Sequence, residues 1–237
     1  MDNTVATAYL VKPLSLGADV VVNSTSKYIN ANSSAISGVI TDGGKFKWDT
    51  EKYPGMKDFK KFGPFAYTAK LRNGLFRNTG ACLSPQNAFY NSIGMETLGL
   101  RMERVCDNAK KLAQFFATEY SDIEVNYPGL AGSKWHNIAT EQFGDKFGGI
   151  ITIRTGNKKR AFGIIDALKL PLIVSNIGDT KTLVIHPEST LNVHSTQEEK
   201  ETAGVFDDLI RISVGIEDID DLIDDFKQAI ESVKDVY

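Results

Sequence analysis

The chain has 237 residues, 42% of them hydrophobic and 24% charged, with a formal net charge of −3. That length supplies apolar material for one large domain or a domain and a half, in proportions ordinary for a soluble globular protein. The mild negative charge argues against a nucleic-acid binder, whose footprint is basic, and neither a membrane-length apolar stretch nor a signal region is present.

Val20, Val21 and Val22 form a short β-branched run bounded by polar residues, the pattern of a buried strand covered on both faces. Lys27 follows among Ser24, Thr25, Ser26, Ser33 and Ser34, and a second apolar run spans 36–40. Residues 42–63 are rich in Gly, Lys and aromatics and read as a long surface excursion. Ser84 and Pro85 give an N-cap and first-turn pair. The spacing of Met95, Leu98, Met102, Val105, Ala109, Leu112 and Phe116 then predicts one long helix from about Ser84 to Phe116. Strands are expected over 148–155, 172–176, 182–187 and 208–216, with a helix over 158–170. The closing segment places Ile219, Leu222, Ile223, Phe226, Ala229, Ile230 and Val233 on one helical face, behind an acidic first turn that the helix dipole favours. Cys82 and Cys106 show neither metal spacing nor a disulfide framework, which suits a reducing cytoplasm. The three histidines are scattered and give no zinc pattern.

Two features need a chemical explanation. A lysine among small hydroxyls where a strand stops is either an incidental charge in a solvated loop or a phosphate and carbonyl site. In the second case the hydroxyls take an anion and the amine reacts with an aldehyde. Arg211 interrupts an otherwise apolar strand, either in an internal ion pair or as a fork for a substrate carboxylate.

Four stretches resolve the choice. "MDNTVATAYLVKPLSLGADVVVNSTSKYI", "LSPQNAFYNSIGMETLGLRMERVCDNA", "SNIGDTKTLVIHPEST" and "DLIRISVGIEDIDDLIDDFKQAI" together resemble the Cys/Met-metabolism (trans-sulfuration) family of pyridoxal-phosphate (PLP) enzymes, in the family's order and over the whole chain. The "GGKFKW…FGPFAY" and "SPQNAF…GMETL" phrasing is most similar to that of O-acetylhomoserine sulfhydrylases. The resemblance implies an α/β, aspartate-aminotransferase-like (fold type I) PLP-dependent transferase. Residues 1–83 would be a remnant of the large cofactor domain, and 84–237 the linking helix with a complete α/β C-terminal domain.

It also implies roles. Lys27 is the Schiff-base lysine that shuttles the substrate α-proton. Ser24 and Ser26 hold the cofactor phosphate, and Asp2 pairs with the pyridine nitrogen, keeping the ring protonated. Arg211 clamps the substrate α-carboxylate, assisted by Asn176 or Ser175. No metal is expected. Asn23 stands where relatives commonly carry His, "INANSSAISG" replaces a more glycine-rich form, and "HPESTLNVHST" departs from the usual threonine-histidine sequence. These differences bear on the acceptor. The family also carries a long stretch before the "DNT" segment, so the chain resembles a C-terminal part of such an enzyme: a truncated gene, a split half or a partial sequence. The implied reaction is γ-replacement on O-acetyl-L-homoserine by sulfide or a thiol, giving homocysteine or methionine, in a cytoplasmic homo-oligomer (a dimer of dimers) or in a pairing with the missing half. The alternatives are a cystathionine γ-synthase or methionine γ-lyase-type reaction, and a catalytically silent fragment. No nucleic-acid or membrane partner is expected.

Overall fold

The computed structural model describes residues 1–234, which divide into two compact units. The first comprises Met1–Asn30 and Ser34–Glu96; the second comprises Ala31–Ser33 and the chain from Thr97 onward.

In the first unit, strand β1 (Val20–Ser24) pairs antiparallel with β2 (Gly38–Asp42), Val22 standing opposite Ile40. The chain start lies along the other edge of β1: Asp2 bridges Val22 in parallel, the Val22 N–H donates to the Met1 carbonyl at 2.9 Å, and the Asn3 N–H donates to the Val22 carbonyl at 2.8 Å. The helical turn α1 (Thr7–Leu10) connects them. β1 is therefore not a strand buried on both faces. Val21 is 5% exposed and Val22 41%, because the face carrying Val21 is packed over and the face carrying Val22 is left open, so the run alternates as a half-buried strand does.

The excursion after β2 is more ordered than its composition suggests. Trp48 stacks on Tyr67 at 5.5 Å and meets Tyr53 edge-on at 5.4 Å, giving the loop its own aromatic centre. A 3₁₀ helix over Pro54–Phe65, kinked at Gly63, leads into α2 (Ala66–Lys70), a π-helical turn over Leu71–Phe76, and α3 (Arg77–Thr79). Gly80 ends this run in the left-handed region (φ 72°).

The single long helix expected from Ser84 is two helices. α4 (Pro85–Glu96) stops before Thr97, whose backbone (φ −108°, ψ 4°) leaves the helical region, and α5 (Leu98–Glu119) begins again. Met95 is accordingly 54% exposed, whereas Met102, Ala109, Leu112 and Phe116 are fully buried. The apolar stripe thus belongs to α5.

The second unit is a five-stranded sheet covered by helices. β3 (Glu124–Asn126), β4 (Ile150–Arg154), β7 (Leu209–Ser213), β6 (Leu183–Ile185) and β5 (Leu172–Ile173) lie in that order, antiparallel except for β5–β6. Alternation decides the faces: Ile151 and Ile153 of β4 and Ile210 and Ile212 of β7 share one core with α5, α7 (Lys158–Ala167) and α9 (Ile219–Ser232). Each such side chain contributes about 1.5–3 kcal/mol on burial. Phe116 and Phe226 meet edge-to-face at 5.2 Å inside it. α9 is capped by Asp218, whose carboxylate accepts from the Asp220 N–H at 3.0 Å, with Asp220 and Asp221 in the first turn. α6 (His136–Phe143) and β3 carry too little apolar periodicity to stand out in the sequence. α8 (Gln197–Thr202) is marked by its Thr196–Glu199 capping box.

Glu188 ties α7 to α8. Its carboxylate takes Lys158 at 2.7 Å and Lys200 at 2.5 Å, and these two ammonium groups lower its pKa from 4.5 to about 2. A depressed carboxylate stabilises the fold above its unfolded value and ceases to do so as the pH falls through its folded value. The stability gap between wild type and Glu188→Gln is therefore expected to be full at pH 5–7, about 1 kcal/mol after solvent screening. It should close as the pH falls from about 4.5 toward 2, a course that urea midpoints at several pH values would follow.

Candidate active site

In the first unit the candidate groups gather where β1 stops. Asp2 is exposed, and its Oδ1 accepts two bonds from Thr4, the N–H at 2.9 Å and the hydroxyl at 2.6 Å. Thr4 Oγ1 in turn accepts the Ser24 N–H at 2.8 Å, so Asp2 is fastened to the end of β1. These Thr4 bonds, the hydroxyl's first, hold the Asp2 carboxyl below the usual carboxylate range, and the Met1 ammonium adds to the effect.

Lys27 is half-buried on the turn that follows. The turn is closed by the Asn30 N–H on the Thr25 carbonyl and fixed to the segment leading into β2 by the Thr25 N–H on the Ser37 carbonyl, both 3.0 Å. Behind it, Asn91 of α4 donates to Ser37 Oγ at 2.9 Å and to Thr25 Oγ1 at 3.3 Å, and Thr25 donates to Ser37 Oγ at 2.6 Å. The two candidate phosphate hydroxyls differ. Ser24 Oγ has no hydrogen-bond partner among the described residues and is open to an anion. Ser26 Oγ donates to the Ser37 carbonyl at 3.1 Å and accepts the Ser37 N–H at 2.8 Å, so to donate to a phosphate it must release that carbonyl. Gly94 of α4 lies against this turn: a Cβ built there would collide with the Ile29 carbonyl oxygen and sit 2.9 Å from that of Asn30.

In the second unit Arg211 sits in the central strand, on the face opposite Ile210 and Ile212. Its Nη2 donates to the Asn176 carbonyl at 3.2 Å. The Asn176 amide donates to Ser33 Oγ at 2.8 Å, and Ser33 donates to Asp179 Oδ2 at 2.9 Å. Arg211 and Asn176 are thus joined, while Ser175 beside them is exposed. The segment carrying Ser33 is strained: Ala31 (φ 81°) and Ser33 (φ 58°) are in the left-handed region, held by the Thr180 N–H on the Ala31 carbonyl at 2.8 Å and by the Ser33 bonds. Ala31→Gly is expected to raise stability by about 0.5–1 kcal/mol through strain relief. Ser33→Gly should lower it by about 1 kcal/mol, because it loses two hydrogen bonds. Thermal melts of the two variants would show the opposite signs.

In the first unit a carboxylate whose Oδ2 has no partner among the described residues is thus bonded through Thr4 to the end of β1, and Lys27 follows on the braced turn. The sequence pattern that defines the family described as "Cys/Met metabolism PLP-dependent enzyme" matches residues 1–231. The chain belongs to the Cys/Met-metabolism family of PLP-dependent enzymes.

Curated relatives agree. The chain is 41% identical to the O-acetyl-L-homoserine sulfhydrylase of Corynebacterium glutamicum and 38% to the homocysteine synthase of Schizosaccharomyces pombe, the matches covering 98% of this chain and 57% of each relative. It is also 38% identical to the L-methionine gamma-lyase of Fusobacterium nucleatum, of which it spans 54%. The fold is shared with a Campylobacter jejuni protein assigned as an O-acetylhomoserine (thiol)-lyase and solved with N'-pyridoxyl-lysine-5'-monophosphate. The TM-score is 0.90 at 36% identity, over 97% of this chain and 58% of that one. The expected α/β PLP-dependent fold is thereby established, and the chain spans just over half the length of these family members.

Three groups escaped the sequence reading of the family site: Thr4, Asn91 and Ser37. Thr4 alone carries a local signal, since an Asp followed two residues later by Thr is an Asx-turn pattern in which the side chain bonds backbone two positions on. Asn91 reaches Thr25 and Ser37 across long sequence separations, which no local pattern encodes. Among the described residues no helix is long and apolar enough to cross a membrane.

Proposed function

We propose that this chain carries the lysine-bearing part of an enzyme that replaces the γ-substituent of O-acetyl-L-homoserine with sulfide or a thiol, releasing acetate and forming homocysteine or its thioether. One observation carries the reading: 98% of the chain aligns at 41% identity with an O-acetyl-L-homoserine sulfhydrylase. PLP supplies the electron sink that makes the hydrogens on the amino acid's α- and β-carbons acidic. Asp2 holds the ring nitrogen's proton, Ser24 and, once released from Ser37, Ser26 receive the phosphate, and Lys27 binds the aldehyde and moves the α-proton. Residues 1–83 would thus be the remnant of the cofactor domain and 84–237 the linking helical segment with the C-terminal domain, in a homo-oligomer acting in the cytoplasm. Arg211 presents its planar fork to the α-carboxylate, with its Nη2 anchored on the Asn176 carbonyl and Ser175 beside it. Incubation of O-acetyl-L-homoserine and sulfide with the cofactor-loaded chain, assembled with a polypeptide supplying the remaining length of a family member, tests the reading; homocysteine and acetate in equal amounts support it.

The relationship to a methionine gamma-lyase favours a second reading, γ-elimination, in which 2-oxobutyrate and ammonia appear instead of homocysteine. Arg211→Ala serves both. It is expected to raise KM by an amount equivalent to about 2–5 kcal/mol with the protein folded and the cofactor still bound. An unfolded variant, or one with unchanged KM, would make Arg211 structural.

The chain also exposes Val22 (41%), Ile40 (39%), Phe76 (38%) and Leu83 (43%) around a groove of about 890 Å³ in the first unit. We therefore expect the chain alone to turn over O-acetyl-L-homoserine negligibly. A separate polypeptide supplying the remaining length of a family member should restore activity. Full activity of the purified chain alone would overturn this.

A further inference from the structure

We propose that Thr4 is a positioning residue: it aims the Asp2 carboxylate and thereby sets how firmly that carboxylate engages a protonated heteroaromatic nitrogen. The proposal rests on the reading of Asp2 as the ring-nitrogen partner of PLP.

An exposed aspartate near a chain start is free to rotate about two side-chain torsions, and a carboxylate that rotates loses part of its hydrogen-bond strength in ordering. Asp2 is not free. Both Thr4 donors converge on Oδ1, at 2.9 Å from the N–H and 2.6 Å from the hydroxyl. Two donors on one oxygen fix the plane of the carboxylate and leave Oδ2 as the oxygen without a protein partner among the described residues.

The direction of the relay is also fixed. Thr4 Oγ1 accepts the Ser24 N–H at 2.8 Å, and a backbone N–H can only donate, so the Thr4 proton is directed to Asp2. Chains of this kind polarise along their length, strengthening the terminal bond. The result reaches Asp2 from the last residue of β1, so the strand that leads into the Lys27 turn also orients the carboxylate. The same bonds favour the ionised form of Asp2, the form that holds a proton on a ring nitrogen.

Three variants separate the possibilities. Thr4→Val keeps the shape and the backbone N–H but removes the hydroxyl; Thr4→Ser restores it; Asp2→Asn removes the charge. Two readouts apply, neither of them turnover: the titration of the Asp2 carboxyl by carbon NMR in the cofactor-free chain, and the rate at which bound PLP absorbance is lost on dialysis. Thr4→Val is expected to move the Asp2 midpoint up toward the ordinary carboxylate value and to release PLP about tenfold faster, as loss of an orienting partner does at other ligand sites. Thr4→Ser should behave as wild type in both, and circular dichroism should be unchanged throughout. If Asp2→Asn releases PLP fast while Thr4→Val matches wild type in titration and release, the role of Thr4 is refuted and that of Asp2 stands. If Asp2→Asn retains PLP like wild type, the reading of Asp2 fails and the proposal with it.

Discussion

Lys27→Ala is expected to abolish covalent capture of PLP and to lower turnover of any active assembly by at least about 10³-fold. The physical reason is placement. Lys27 stands on a turn closed by the Asn30-to-Thr25 bond and pinned by the Thr25-to-Ser37 bond, with Asn91 bracing both partners from α4. A turn held in this way keeps the Lys27 backbone in one place, and small displacements from a productive geometry cost about 10²-fold. Borohydride reduction followed by peptide mapping gives the result directly: the phosphopyridoxyl label is expected on Lys27 in wild type and on no lysine in the variant. Label on Lys12 or Lys45 would remove the assignment.

Gly94→Ala is the second large effect. Alanine normally stabilises a helix interior relative to glycine by about 1 kcal/mol. Here the sign reverses, because the added carbon meets two backbone carbonyl oxygens, those of Ile29 and Asn30, and backbone cannot swing aside as a flexible side chain does. Either α4 or the turn after Lys27 must move. We expect a loss of about 2–3 kcal/mol, within the range of overpacking, together with faster loss of cofactor. The control is Gly74→Ala, where no atom lies within 4 Å of the new carbon and stability should hold or rise slightly. Denaturant midpoints of the pair decide it; equal behaviour would show that the contact at Gly94 relaxes easily.

The two predictions meet at one piece of architecture. Thr25, Ser37 and Asn91 form a small hydroxyl and amide cluster behind the lysine, while Gly94 lets α4 approach the same turn. Helix α4 is in this sense the backing plate of the Lys27 turn.

Much of this protein was written in local sequence. The strand at Val20, the helix at Ile219 with its acidic first turn, and the strand containing Arg211 follow from periodicity and capping, because each depends on residues a few positions apart. The four motifs carried the family and its cofactor for the same reason: they are contiguous. What the sequence could not determine depended on residues far apart along the chain. The break at Thr97 is hidden because the apolar spacing continues across it, and only the exposure of Met95 reveals that the stripe belongs to one helix. The exposure of Val22 was hidden because a β-branched run looks alike whether one face or two are covered, and what packs on each face decides which. Ser26 and Ser24 read alike as hydroxyls, yet Ser26 is engaged by a backbone group eleven positions away while Ser24 is open. Composition specifies which groups can bond; only the tertiary structure, by bringing Ser37 to Ser26 and α4 to the turn at Asn30, decides which of them remain available for chemistry.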